Sequence, residues 1–266
     1  MSRTTAAAVA SLAVLALTVA GLWWRQRDAG PGRPLIVYAA AAVRVPLEAA
    51  ARDYEAEHGR RVELRFGASE DVLTRAGLVN PSDPADVFLP ADDSYVRTAR
   101  ERGLVGESFP IATMRAVVLV APGNQKAVAA WPDLLRDGVR VAVPNPAAAV
   151  GKLTRDHLAA TGRWAALKPR VTDAGTVTEA ANAAKVGAAD AAVVWDAVAV
   201  NYPGQVVLNP PELAGVVGRV EVAVLTQSAD ADAAWAFARY LADPERGLKS
   251  FRAAGFTVGP VSTRPG

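Results

Sequence analysis

The residues best placed to do chemistry in this chain are small ones at the starts of helices. Ala39-Ala40-Ala41-Ala42, Gly67-Ala68-Ser69 and Pro144-Asn145-Pro146, the last running on to Val150-Gly151, each fall where a strand pattern gives way to a helical one. A fourth helix start, Thr176-Val177-Thr178-Glu179, reads as a capping box, with threonine at the cap and glutamate three residues on. The first N–H groups of a helix have no partner within it, and small side chains leave them open to a ligand. Such groups hold anions, helped by the positive end of the helix dipole. Several of them converging on one cleft would make an oxyanion receptor with no charged side chain. Singly, each turn also has a plain structural reading: Ser69 as a helix cap, Thr176 as one half of an ordinary capping box.

Catalytic chemistry is hard to assemble from the remainder. The chain has two histidines: His58 ends a helical stretch before Gly59, where a cation suits the dipole, and His157 lies on a helix face. Neither has a partner cluster nearby in sequence. The nucleophile-elbow, P-loop, zincin and dinucleotide-binding patterns are all absent. Asp92-Asp93 reads as a helix cap, since adjacent side chains point in different directions. With no cysteine there are no disulfides, iron–sulfur clusters, thiolate zinc sites or cysteine-linked lipids. Tyr38, Tyr54, Tyr95, Tyr202 and Tyr240 do not cluster as the ligands of a metal cation would. The residues therefore predict no enzyme and no cofactor.

The formal net charge is +2, and residues 1–30 account for all of it through Arg3, Arg25, Arg27 and Asp28. The chain beyond them carries no basic stripe, so nucleic acid is not an expected partner. Ala6 to Trp24 is apolar apart from Ser11, Thr18 and Gly21, and Arg25-Gln26-Arg27 closes it. That length is long for a signal-peptide core and close to the ~20 residues that span a bilayer. Residues 1–30 are read as a signal peptide or an N-terminal membrane anchor, leading into a linker rich in glycine and proline over Asp28–Pro34.

The elements that must position the turns begin at Leu35. At 266 residues, 51% hydrophobic and 21% charged, the chain can fill one large domain or two lobes. Strand and helix patterns alternate, which predicts an α/β fold with mostly parallel sheets. Strands are expected at Leu35–Tyr38, Val62–Phe66, Asp86–Leu89, Ala116–Val120, Val139–Val143, Ala191–Val194 and Val220–Leu225. Helices are expected at Arg44–His58, from Asp93 to about Arg102, Lys152–Thr161, Val177–Val186 and Ala229–Ala242, with a last one ending at Gly255. In parallel sheets ligands sit beyond the carboxyl ends of the strands, where these turns would gather.

From about Leu35 to Val258 the chain resembles the periplasmic molybdate-binding proteins of ABC importers. The resemblance is carried by Val37-Tyr38-Ala39-Ala40-Ala41-Ala42-Val43, by Phe66-Gly67-Ala68-Ser69 and most specifically by Pro84-Ala85-Asp86-Val87-Phe88-Leu89-Pro90-Ala91-Asp92. Val118–Pro122, Trp131 with Leu134-Leu135, Val141-Ala142-Val143 with Pro146, and Gly255–Val258 continue it. It implies a two-lobed type II periplasmic-binding-protein fold with the ligand cleft between lobes. The first lobe would comprise residues 31–114 and a return segment 223–266, and the second residues 115–222. It further implies a monomer that captures molybdate or tungstate at the extracytoplasmic face, periplasmic or tied to the inner membrane. Its partners would be an ABC permease and an ATPase.

Carried over residue by residue, the implied ligand-binding positions are Ala42, Ser69, Val150 beside Gly151, Val177 and Trp195. Ala42 stands where the family has a serine, and Trp195 where it has a tyrosine, so two hydroxyl donors are missing. Trp195 could donate its indole N–H or pack as core, and Arg44 could add charge near the anion or lie solvated on its helix. A sensor or interaction domain of the same fold, with altered or lost oxyanion binding, is the alternative those two positions leave open.

Overall fold

A computed structural model describes residues 33–78 and 85–259. The apolar stretch Ala6–Trp24 and Pro84 of the long matching segment lie outside the described residues. Among those described, no helix is long and apolar enough to cross a membrane.

The chain starts with strand β1 (Leu35–Ala40), whose six residues are all buried, as a central parallel strand requires. A short 3-10 turn, Ala41–Val43, leads into α1 (Arg44–His58), which turns Leu47, Ala50, Ala51 and Tyr54 inward and stops at Gly59 in the left-handed region. Strand β2 (Val62–Gly67) and helix α2 (Ser69–Ala76) come next, then β3 (Val87–Leu89) and α3 (Asp93–Glu101). Strand β4 runs from Val105 to Val120. Beyond it lie β5 (Val141–Pro144), α4 (Ala149–Ala160), the single turn α5 (Trp164–Leu167) and β6 (Val171–Ala174). Helix α6 (Val177–Lys185), β7 (Ala191–Trp195), α7 (Asp196–Ala199) and the two-residue β8 (Val207–Leu208) complete the middle of the chain. The last elements are β9 (Val217–Leu225), α8 (Ala231–Ala242) and α9 (Gly247–Ala253).

The strand order is β2-β1-β3-β9-β4-β7-β5-β6, with β8 on the flank of β4. Pairs β1–β2, β1–β3, β5–β6 and β5–β7 are parallel, whereas β3–β9, β9–β4, β4–β7 and β4–β8 are antiparallel. The sheet is therefore mixed rather than mostly parallel, because β4 and β9 run against their neighbours. Strand β4 stays with β9 through Arg115 and turns to β7 from Ala116, so one long strand serves two sheets and two lobes. Residues 217–222, counted with the second lobe on sequence, lie in the β4–β9 pair that joins the lobes. β4 also extends well upstream of the expected Ala116–Val120 segment, since its first half is more exposed, contains Pro110 and has two register shifts.

Two buried or half-buried carboxylates fix the outer end of the first lobe. Asp86 is fully buried yet well paired: it accepts from Arg33, from the Ile36 N–H (2.9 Å) and from the Ser228 hydroxyl (2.6 Å). Asp230 caps α8 through the Ala233 N–H and pairs with Arg60 at 2.7 Å. The Arg60 hydrogen bond is the main cause holding the Asp230 carboxyl below its ordinary range. A depressed carboxyl pKa adds stability above the unfolded-state value of about 3.9 and loses it as pH falls through the folded value. Asp230→Asn is thus expected to cost about 0.5–1 kcal/mol at pH 7. Denaturation at stepped pH should show that difference closing once the pH drops below about 4.

Candidate functional site

The carboxyl ends of β1, β2, β5 and β6 all open on one side, and the turns beyond them meet between the lobes. Ala40–Ala42, Gly67–Ser69, Ala148–Val150 and Thr176-Val177, with Ala91 after β3 and Trp195 at the end of β7, enclose about 220 Å³ of space, mouth included. To a water-sized sphere the enclosed space is about 10 Å³, room for about one water and far below pockets for drug-sized ligands. Five of the six residues singled out on sequence, Ala42, Ser69, Val150, Val177 and Trp195, stand on its wall. The sixth, Gly151, sits one position behind. A Cβ there would lie 2.1 Å from the Pro144 carbonyl oxygen and 2.2 Å from that of Asn145, so glycine lets α4 start hard against the end of β5. Ala91, Ala148 and Ala149 also stand on the wall, and nothing in an alanine methyl marks it as a site residue in the sequence.

Among the described residues no charged side chain lines the cavity, and only Ser69 and Thr176 bring hydroxyls. Thr176 is already engaged: its Oγ1 accepts the Glu179 N–H at 3.1 Å and lies 3.2 Å from Glu179 Oε1. Glu179 reaches back to the Gly175 N–H at 2.9 Å, one residue earlier than the usual capping box. Val177 is then the first helical residue of α6, and helix pairing provides no acceptor for its N–H. The same holds for Val150 in the first turn of α4. Ser69 does not cap α2; Ala68 occupies that position. Its buried Oγ instead accepts the Ala91 N–H at 3.3 Å, which leaves its proton free to donate into the cavity. Arg44 is off the wall, over the Phe66 ring (4.0 Å) and paired with Glu48.

The two histidines are structural. His58 stacks on Tyr54 with 4.3 Å between ring centroids, and the His157 ring lies against the backbone of Gly215. Asp92 caps α3 by accepting the Ser94 N–H (3.0 Å) and also accepts the Arg219 N–H of β9 (3.3 Å). Asp196 Oδ1 takes the Ala197 N–H (2.8 Å) and the Arg115 N–H (3.0 Å), at the point where β4 changes sheets. Across the mouth, the Ala147 carbonyl of the second lobe accepts the Glu70 N–H (2.9 Å) and the Tyr95 hydroxyl (3.5 Å) of the first. Burial, then the nearby carboxylates of Glu70, Asp92, Asp156 and Asp71, push the Tyr95 phenol far above its ordinary range, so it stays a neutral donor. Among the described residues no group of His, Asp or Glu is arranged to hold a metal ion.

A family model for bacterial extracellular solute-binding proteins matches residues 35–257. The chain belongs to that family. This solute-binding protein is 32% identical over 206 residues to the molybdate-binding protein ModA of Mycobacterium tuberculosis, covering 75% of this chain and 77% of the relative. Its fold matches the periplasmic molybdate-binding protein of Azotobacter vinelandii with a TM-score of 0.71 at 22% identity, over 85% of this chain and all of the other. The sulfate-binding protein SubI of M. tuberculosis also reaches 0.71, at 21% identity, over 85% of this chain and 88% of its own. The architecture of the solute-binding protein is the two-lobed type II periplasmic-binding-protein fold, with the cavity between the lobes.

Proposed function

We propose that the protein captures a tetrahedral oxyanion, molybdate or tungstate, outside the cytoplasmic membrane and passes it to an ABC permease driven by an ATPase. The observation that carries this reading is the convergence of Ala42, Ser69, Val150, Val177 and Trp195 on a small cavity that offers hydrogen-bond donors and, among the described residues, no charge. Uncharged donors fixed by the fold suit a dianion that arrives without a counter-ion, and they need no reorganisation on binding. A protonated anion such as hydrogen phosphate needs an acceptor for its proton, and none of the described wall residues is a carboxylate. Gly151 acts from behind, holding the α4 start so that the Val150 N–H faces the ligand. Closure would turn about the β4–β9 pair, near Arg115-Ala116 and Val216-Val217.

The 32% identity to a molybdate-binding protein supports molybdate as the first ligand to try. Ala42 and Trp195 favour a second reading, a sensor or interaction domain whose oxyanion site has changed or been lost. Calorimetric titration with molybdate, tungstate, sulfate and phosphate separates the two. Heat with molybdate and tungstate, and none with phosphate, is the expected result; silence with all four would overturn the oxyanion reading in favour of the second.

A further inference from the structure

Arg155 stands on the second turn of α4, outside the cavity wall. Its side chain is 15% exposed, and both terminal nitrogens of the guanidinium are engaged. Nη1 donates to the carbonyl of Pro144, the last residue of β5, and to the carbonyl of Gly151 in the first turn of α4 (3.3 Å). Nη2 donates to Oδ1 of Asp173 on β6 and forms an ion pair with it. The guanidinium carbon lies over the Trp164 ring of α5, 5.0 Å from its centroid. Burial lowers the pKa of Arg155, and the Asp173 carboxylate opposes that shift. A partly dehydrated cation is costly unless its partners are well placed, and here each of them belongs to a different part of the second lobe.

Those partners carry the second-lobe half of the cradle. Pro144 and Gly151 bracket the turn that presents Val150, and Asp173 shortly precedes the capping box that presents Val177. Strand β6 is the last strand of the sheet, paired with β5 alone among the described residues. At this end the pair is held by Pro144 against Ala174 and by the Asn145 N–H on the Ala174 carbonyl (2.7 Å). The separation of the Val150 and Val177 N–H groups, which start two different helices, therefore depends on how firmly β5, β6 and α4 are locked together.

We infer that Arg155 is the positioning residue for these two donors: its forked guanidinium ties the start of α4 to the ends of β5 and β6, and so presets the spacing and aim of the Val150 and Val177 N–H groups. This rests on the oxyanion reading of the cavity and deepens it by naming what holds two of its donors in place. Arginine suits the task because its planar fork holds several acceptors in fixed directions, whereas a lysine ammonium carries the same charge without that geometry.

The test separates geometry from charge and from stability. Arg155→Lys keeps the charge and loses the fork. Asp173→Ala leaves the arginine and removes one partner; the Asp173 side chain is 70% exposed, so the ligand-free melting temperature should stay near that of the parent. Calorimetry with molybdate is expected to show binding about tenfold weaker for Arg155→Lys and about threefold weaker for Asp173→Ala. In the ligand-free protein, Asp173→Ala should shift the amide resonance of Val150, across on α4, as well as that of Val177, a readout that a merely stabilising ion pair would not move. Parent-like affinity of Arg155→Lys would make Arg155 a source of charge alone and overturn the inference. A Val150 amide unmoved by Asp173→Ala would overturn it equally, and this comparison decides alone if Arg155→Lys fails to fold. If the parent gives no heat with any oxyanion, the reading of the cavity falls, while the ligand-free resonances still decide whether Arg155 couples the two helix starts.

Discussion

Gly151→Ala is expected to destabilise the protein by about 3 kcal/mol or more, an effect at the upper end of what one added methyl group causes. The new Cβ would be placed 2.1 Å and 2.2 Å from two main-chain oxygens, of Pro144 and Asn145. Neither can step aside cheaply. Asn145 is tied through its N–H to the Ala174 carbonyl at 2.7 Å, and the Pro144 carbonyl is braced by the guanidinium of Arg155. Relief must come from α4 lifting off the β5 turn, which carries Val150 with it. Binding should fall along with stability. Gly106→Ala makes the comparison clean, because a Cβ at Gly106 meets nothing within 4 Å and should change little. Urea unfolding of the two variants beside the parent measures the difference; equal midpoints for all three would show that α4 can relax at no cost.

Ser69→Ala should act the other way round, with a large effect on binding and a modest one on stability. Among the described residues its hydroxyl is the single side-chain O–H on the wall not already committed, since Thr176 is held within its capping interaction. Removing a neutral donor from an anion typically costs about 1.5–3 kcal/mol, or roughly ten- to a hundredfold in affinity. The same change strands the Ala91 N–H, which loses its 3.3 Å bond, so about 1 kcal/mol of stability should go too. Calorimetry with molybdate and melting of the ligand-free protein read the two effects separately. Parent-like affinity would leave the backbone donors to hold the anion alone.

How much of the fold and the cavity is legible in the sequence depends on how local each cause is. Strand-to-helix turns announce themselves through small residues and capping patterns a few positions long, so Ala42, Ser69, Val150 and Val177 emerge together with the helix starts that carry them. Val177 is the clearest, because Thr176 and Glu179 fix the first helical residue by spacing alone. Ser69 is visible but its part is not: only the proximity of the Ala91 N–H, 22 residues away, shows that the serine accepts there and caps nothing. The long strand β4 escapes because Gly106, Glu107, Ser108 and Pro110 break the alternation that marks a strand, and its register shifts hide the rest. β6 escapes as an edge strand with polar residues at Thr172 and Asp173. Arg155 cannot be linked to Asp173 from sequence at all. Their contact joins α4 to that same edge strand, and nothing in either neighbourhood encodes it.

The Ala147 carbonyl has a kinetic meaning. It receives a backbone N–H and a phenol hydroxyl from the opposite lobe, so the shut form is held by the protein's own bonds. On the proposed function, opening the mouth to admit a ligand would have to break both bonds, so capture by Tyr95→Phe is expected to be faster than by the parent in stopped-flow mixing with molybdate. Re-formed behind the ligand, the same two bonds would lengthen its stay. A binding protein held shut in this way would trade speed of capture for security of transit.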